Sequence, residues 1–215
     1  MSIKGVIFDL DGVIVSTDEY HYQGWQRLAD EERIYFDREI NERLRGVSRM
    51  ESLEIILEKS DRVYSQDEKI KLAERKNNYY RELLKKITPD DILPGVRNVL
   101  EELKRRSIKI AIGSSSKNSP TILERIGLDT CFDATSDGND IKNSKPDPEV
   151  FLIAAKRLSL SPEECLVVED AGAGVEAGIT SGMRVLAVGS AKDDKRAHIS
   201  AKDMDSITVD EMLDV

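Results

Sequence analysis

Basic residues are in deficit, aromatic residues are scarce, and no long apolar run breaks the chain. The 32 Lys and Arg stand against 41 Asp and Glu, a formal charge of −9. That balance repels a nucleic-acid backbone and favours a mutually repelling, monomeric protein. It leaves room for an anionic substrate, because a few local cations outweigh a distant negative field. Phe, Trp and Tyr make up only 5% of the chain, so any core rests mainly on Ile, Leu, Val and Ala. No apolar stretch approaches the roughly 18 to 20 residues that a membrane helix needs, and no membrane partner is expected. In the opening MSIKGVIFDLDG, Asp9 and Asp11 stand where a secretory leader would need apolar residues. The only two cysteines, Cys131 and Cys165, lie far apart in apolar contexts. They read as two buried, reduced thiols, and the protein as cytoplasmic.

What is present is an alternation. Four short Val- and Ile-rich segments, each followed by Gly, Ser or Asp, read as buried strands: Ile3–Leu10, Ile108–Gly113, Cys165–Glu169 and Arg184–Gly189, with a weaker fifth at Phe132–Ser136. Helical patterns fall between most of them, at Gly95–Arg106, Asn118–Ile126, Pro148–Leu158 and Ala171–Ser181. The pattern predicts an α/β fold, a Rossmann-like doubly wound parallel sheet whose ligands bind beyond the carboxyl ends of its strands. Between Thr17 and about Thr88 no strand pattern appears. Ser48-Arg-Met-Glu51 and Ser65-Gln-Asp-Glu68 both fit the Ser-x-x-Glu capping box. An all-helical cap domain is therefore expected over 17–88, inserted into a core of 1–16 and 89–215, with Thr88–Gly95 as a proline-stiffened return.

Four clusters carry chemistry. In Phe8-Asp-Leu-Asp-Gly-Val13 a strand ends in two carboxylates two residues apart, a spacing that points both the same way. Like charges so placed call for a cation such as Mg²⁺, and a carboxylate can attack phosphorus. A lone Asp-x-Asp could equally cap the following turn. Ser114, Ser115, Ser116, Lys117 and Asn118 follow the second strand at a helix start, where free amides attract phosphate. Serines there also serve as ordinary caps. In Ser144-Lys-Pro-Asp-Pro148, Lys145 is held before a helix with Asp147 as N-cap and Pro148 near the first helical position. Leu166-Val-Val-Glu-Asp170 ends a buried strand in two more acids, costly unless paired or metal-bound.

In this order the clusters resemble the four motifs of the haloacid dehalogenase (HAD) superfamily: Asp-x-Asp, a Ser or Thr, a Lys, and an acidic pair. The resemblance implies Asp9 as nucleophile and Asp11 as general acid/base. It implies Ser114 and Lys145 on phosphoryl oxygens, and Mg²⁺ held by Asp9, the Asp11 carbonyl, Glu169 and Asp170. Within the insert, Thr17-Asp-Glu-Tyr-His21, Leu44-Arg-Gly-Val-Ser-Arg49-x-x-Ser52 and Glu74-Arg-Lys-Asn-Asn78 look like the β-phosphoglucomutase family. That likeness implies a distal-phosphate grip by Arg49. Thr17, His21, Gly46, Val47, Ser52 and Lys76 would line the cap side, together with Trp25, the single tryptophan, which also reads as cap core. The implied reaction interconverts hexose phosphates through a bisphosphate. A sugar-phosphate phosphatase on the same scaffold is the competing expectation. The chain departs from the family at Ser16, where an aspartate is usual.

Overall fold

The structure is a computed structural model and describes residues 2–44 and 47–215. In chain order the elements are β1 (Gly5–Phe8), α1 (Asp18–Glu32), α2 (Arg38–Glu42), α3 (Arg49–Leu57), α4 (Gln66–Leu84), α5 (Val96–Arg105), β2 (Lys109–Gly113), α6 (Ser119–Ile126), β3 (Ala134–Ser136), α7 (Glu149–Leu158), β4 (Cys165–Glu169), α8 (Gly172–Thr180), β5 (Arg184–Ala187), β6 (Ile199–Ser200) and α9 (Val209–Leu213). The chain divides into two compact units, Met1–Ser16 with Thr88–Val215, and Thr17–Ile87. Thr88 thus falls in the larger unit rather than closing the smaller one.

The larger unit carries one sheet in the order β3-β2-β1-β4-β5-β6, with every pairing parallel. Parallel strands this apolar must be covered on both faces. Ile7, Ala111, Val167 and Val185 stand side by side in register. On that face they pack with Val150, Phe151, Ala154 and Leu158 of α7 and with Val175 and Ala177 of α8. Burial of such side chains is worth about 1.5 to 3 kcal/mol each. β1 and β4 are neighbours, and the chain runs outward from them in opposite directions, so the switch point of the sheet lies between them. The aspartates of the first cluster and the acids of the last therefore emerge side by side.

Several boundaries differ from expectation. The first strand ends at Phe8 and the strand expected to reach Gly189 ends at Ala187, because the ladder stops where the chain turns into loops. The two-residue β6 is too short for any periodicity to announce. Pro148, not Asp147, occupies the N-cap of α7, and the Asp147 carboxylate instead accepts from the Glu149 N–H at 2.9 Å. Pro148 has no side-chain acceptor to offer, so that donor is satisfied from one residue further back. Cys165 is buried, but Cys131 is only half-buried, and both are free thiols.

The smaller unit is helical. Its core gathers Trp25, Leu28, Phe36, Ile40, Leu53, Ile56 and Leu72. Both capping boxes form: Ser48 and Glu51 satisfy each other's backbone N–H, as do Ser65 and Glu68. The return segment opens with a single tight turn, Pro89–Asp91, capped by Thr88 and Asp91. Further along it Ile92 bridges Val15, and Leu93 donates to the Ile14 carbonyl at 2.9 Å. No helix among the described residues is long and apolar enough to cross a membrane.

Candidate active site

Asp9 extends the β1 ladder by one hydrogen bond, its N–H donating to the Val168 carbonyl at 2.9 Å. Asp11 lies further out, past the end of β1, so strand alternation does not place the two aspartates. The turn does. Gly12 has φ +86°, where an L side chain is strained, and its N–H closes on the Val15 carbonyl at 2.7 Å. Asp9 is buried and Asp11 half-buried.

Lys145 is buried and its Nζ donates to Asp9 Oδ1 at 2.5 Å and to Glu169 Oε1. It also lies 4.6 Å from the centre of the Phe151 ring. Burial opposes its charge, yet the Asp9 and Glu169 carboxylates outweigh burial and hold the ammonium above the ordinary lysine value. Glu169 moves upward: burial, opposed by Lys145 and reinforced by Asp9, pushes its carboxyl above the ordinary glutamate range. Its Oε2 accepts the backbone N–H groups of Asp170 and Ala171 at 3.0 and 3.1 Å.

Asp9, Glu169 and Asp170 can each bring one oxygen within 4.8 Å of the others. Two of these carboxylates, Asp9 and Glu169, share the Lys145 ammonium, and the excess negative charge of the three suits a hard divalent cation. The donor chemistry fits Mg²⁺. The Asp11 carboxylate is not one of this cluster.

The Ser114–Asn118 loop lies beyond β2. Ser114 is buried, donates its N–H to the Ser136 carbonyl at 3.0 Å, and accepts the Ser116 N–H on Oγ at 3.2 Å. Ser115 Oγ accepts the Lys145 N–H at 3.4 Å, linking this loop to the lysine segment. Ser116 Oγ accepts from the Asn118 N–H at 3.2 Å. Asn118 is the N-cap of α6, without a side-chain cap bond, and Lys117 is exposed. The hydroxyls shape the loop first, and the same loop carries Lys117 at the head of a helix.

In the smaller unit Lys76 is buried. Its Nζ stands 2.8 Å from His21 Nδ1 and 4.7 Å from the centre of the Trp25 ring. An ammonium can only donate, so Nδ1 accepts and the His21 proton sits on Nε2. Burial first, then the charges of Lys76 and Arg49, hold the imidazole well below its ordinary value, so His21 is neutral. Thr17 is fully buried, its Oγ1 2.9 Å from Tyr80 Oη. Trp25 and Ser52 are buried, and Val47 is half-buried. Gly46 lies outside the described residues. Arg49 sits at the first position of α3, half-buried, and burial lowers its pKa. Arg27, Arg38, Arg43, Arg62 and Arg75 of this unit each meet a carboxylate. Arg49 makes no hydrogen bond or ion pair among the described residues.

Two contributors escaped the sequence. The Tyr80 ring lies against His21, tilted by 35° with ring centres 4.0 Å apart. Its spacing of four from Lys76 puts it on the same helix face and could have marked it. Ser190 Oγ donates to the Asp170 carbonyl at 2.6 Å, and nothing in the pattern around it signals that.

The family model described as haloacid dehalogenase-like hydrolase matches residues 3–182. The chain is 43% identical to the β-phosphoglucomutase of Bacillus subtilis, over 97% of this chain and 93% of that protein. It is 32% identical to a phosphorylated carbohydrates phosphatase of Thermotoga maritima, over 99% and 98%. Among solved structures, β-phosphoglucomutase from Clostridium difficile superposes with TM-score 0.92 at 41% identity, covering 99% of this chain and 96% of that one.

Proposed function

We propose that this chain, which belongs to the haloacid dehalogenase-like hydrolase family, is a phosphotransferase interconverting β-D-glucose 1-phosphate and D-glucose 6-phosphate. The route runs through β-glucose 1,6-bisphosphate and an aspartyl-phosphate at Asp9. A carboxylate oxygen of Asp9 attacks phosphorus, the bond to the sugar oxygen breaks, and Asp11 gives that oxygen its proton. In the reverse direction a sugar hydroxyl attacks the phospho-Asp9, Asp11 takes its proton, and the Asp9 carboxylate is the leaving group. Lys145, already against Asp9, offsets charge on the transferring group, with Ser114 and the 115–118 loop on its oxygens. Mg²⁺, held by Asp9, Glu169, Asp170 and the Asp11 carbonyl, supplies further positive charge to the phosphoryl oxygens when bound.

The observation that carries the mutase reading is Arg49, a half-buried guanidinium with no acceptor among the described residues. A planar fork left unsatisfied is suited to a phosphate it can pair bidentately. A mutase needs such a grip on the second phosphate, whereas a phosphatase does not. We read Thr17–Ile87 as a cap that lines the sugar with Thr17, His21, Val47, Ser52 and Lys76, and whose closure keeps water from the phospho-aspartate. Trp25, in the core of that unit, supports Lys76 from behind. The two free thiols and the acidic surface fit a cytoplasmic monomer.

The competing reading, a sugar-phosphate phosphatase, is favoured by the likeness to the Thermotoga maritima phosphatase. One assay separates them. The protein is incubated with β-glucose 1-phosphate, Mg²⁺ and a trace of bisphosphate, and glucose 6-phosphate and free phosphate are followed together. Glucose 6-phosphate formed with little free phosphate is the expected result. Stoichiometric free phosphate makes the protein a phosphatase.

A further inference from the structure

We propose that Gly174 is a positioning residue of the phosphoryl-transfer centre, holding open the space that the Glu169 carboxylate occupies. Gly174 lies in α8, so its backbone is helical and any L residue could adopt it. A helical position favours alanine over glycine. Space, not conformation, is the reason for the glycine. A Cβ built there would fall under 3.0 Å from three atoms of the Glu169 carboxyl, both oxygens among them. Gly12 stands in the same relation to the Asp170 carboxyl, but its positive φ demands glycine in any case. Gly174 is therefore the informative position.

The end of a glutamate side chain can usually swing away from a new methyl group. Here it is held on three sides. Lys145 Nζ donates to Oε1, and the N–H groups of Asp170 and Ala171 donate to Oε2. Glu169 is also 1% exposed, so there is no solvent for it to retreat into. A methyl group at 174 must push the carboxylate off these donors, and the first to lose register is Lys145, which also holds Asp9. One methyl at a position remote in sequence from Asp9 would thus disturb both the cation cluster and the nucleophile's partner.

The inference rests on the reading of Asp9, Glu169 and Asp170 as a Mg²⁺-binding phosphoryl-transfer centre, and the test separates the two. Gly174→Ala, Glu169→Asp and the double variant are compared with the parent chain. Three quantities are measured: Mg²⁺ affinity by calorimetry, metal-free thermal midpoint, and the metal-free crystal structure. Expected for Gly174→Ala are a Glu169 carboxylate displaced beyond hydrogen-bond reach of Lys145, an affinity at least tenfold lower, and a lower midpoint that Glu169→Asp in the double variant restores in part. The double variant, with the shorter carboxylate, should bind more tightly than Gly174→Ala alone. A Glu169 carboxylate unmoved in the crystal, or a midpoint that falls without rescue by Glu169→Asp, overturns the proposal. If the parent chain binds no Mg²⁺ while the carboxylate still moves in Gly174→Ala, the cation reading fails and the positioning of Lys145 stands.

Discussion

Lys145 and Asp9 are 136 residues apart in sequence, and the ammonium of one sits 2.5 Å from the carboxylate of the other. Between them lie the whole helical insert and two strands, so the pair exists only when the sheet has closed. It bears on the charge of the site, because the same buried ammonium also meets the Glu169 carboxylate.

Lys145→Ala should leave two buried carboxylates uncompensated. Breaking a buried pair from one side typically costs about 3 to 5 kcal/mol, so the urea midpoint should drop markedly at pH 7.5. Added Mg²⁺ should restore more stability to this variant than to the parent. A variant as stable as the parent without metal would show that the carboxylates do not depend on this partner.

Asp9→Asn should abolish phosphorylation by acetyl phosphate while keeping the fold, since the amide is nearly isosteric and no nucleophile. Asp11→Asn should behave differently. Its carboxylate is outside the cluster of Asp9, Glu169 and Asp170, so calorimetric Mg²⁺ affinity should hold while turnover falls about 10² to 10⁴-fold. A collapse of that affinity with the chemical step intact would reverse the assigned roles.

If Arg49 grips the second phosphate as proposed, Arg49→Ala should remove a charge-assisted hydrogen bond worth about 1.5 to 3 kcal/mol. Mutase kcat/KM should fall at least tenfold, and phosphorylation of Asp9 by acetyl phosphate, which has no second phosphate, should change far less. Arg49→Lys should rescue only in part, lacking the planar fork. Equal losses with both donors would point to general damage instead.

His21 gives a pH dependence whose sign can be worked out. Folded His21 is held well below its ordinary value by burial, Lys76 and Arg49, whereas in the unfolded chain it titrates near about 6.5. Below that pH the unfolded state binds a proton that the folded state refuses, so stability falls as pH drops. Replacing His21 with Gln should flatten the decline in unfolding free energy between about pH 6.5 and 5. His198 is also lowered, by burial and Arg184, and its substitution should flatten the same limb. An acid limb unchanged by the His21 substitution would mean that the imidazole already charges in the folded protein.

Burial, with Glu164 and Glu163 nearby, pushes the Cys165 thiol up to about 11, so it should be nearly inert to a thiol reagent at pH 8. The half-buried Cys131 should react first in the native protein, and Cys131→Ser should abolish that phase. Rapid reaction of both thiols under native conditions would contradict the packing of β4.

Much of this could be read from residue order alone. The apolar cores of β1, β2, β4 and β5, the helices between them and the two Ser-x-x-Glu boxes are local signals, each settled by neighbours within a few positions. The order of the four polar clusters was legible too, because a strand that ends in a carboxylate advertises itself. Local chemistry cannot say where a ladder stops: β1 ends before Asp9, so the turn at Gly12 places the aspartates and not strand alternation. Nor could it show that Pro148 takes the N-cap and leaves Asp147 to serve the Glu149 N–H.

What only the tertiary structure decided are the long-range pairings. Lys145 against Asp9 and Glu169, Lys76 against His21, Tyr80 against Thr17 and the Glu169 carboxyl over Gly174 join residues whose patterns say nothing of one another. Residue order determined which chemical groups stand at strand ends. Sheet order then brought β1 and β4 together, and burial between them made one lysine answer for the carboxylates of both Asp9 and Glu169.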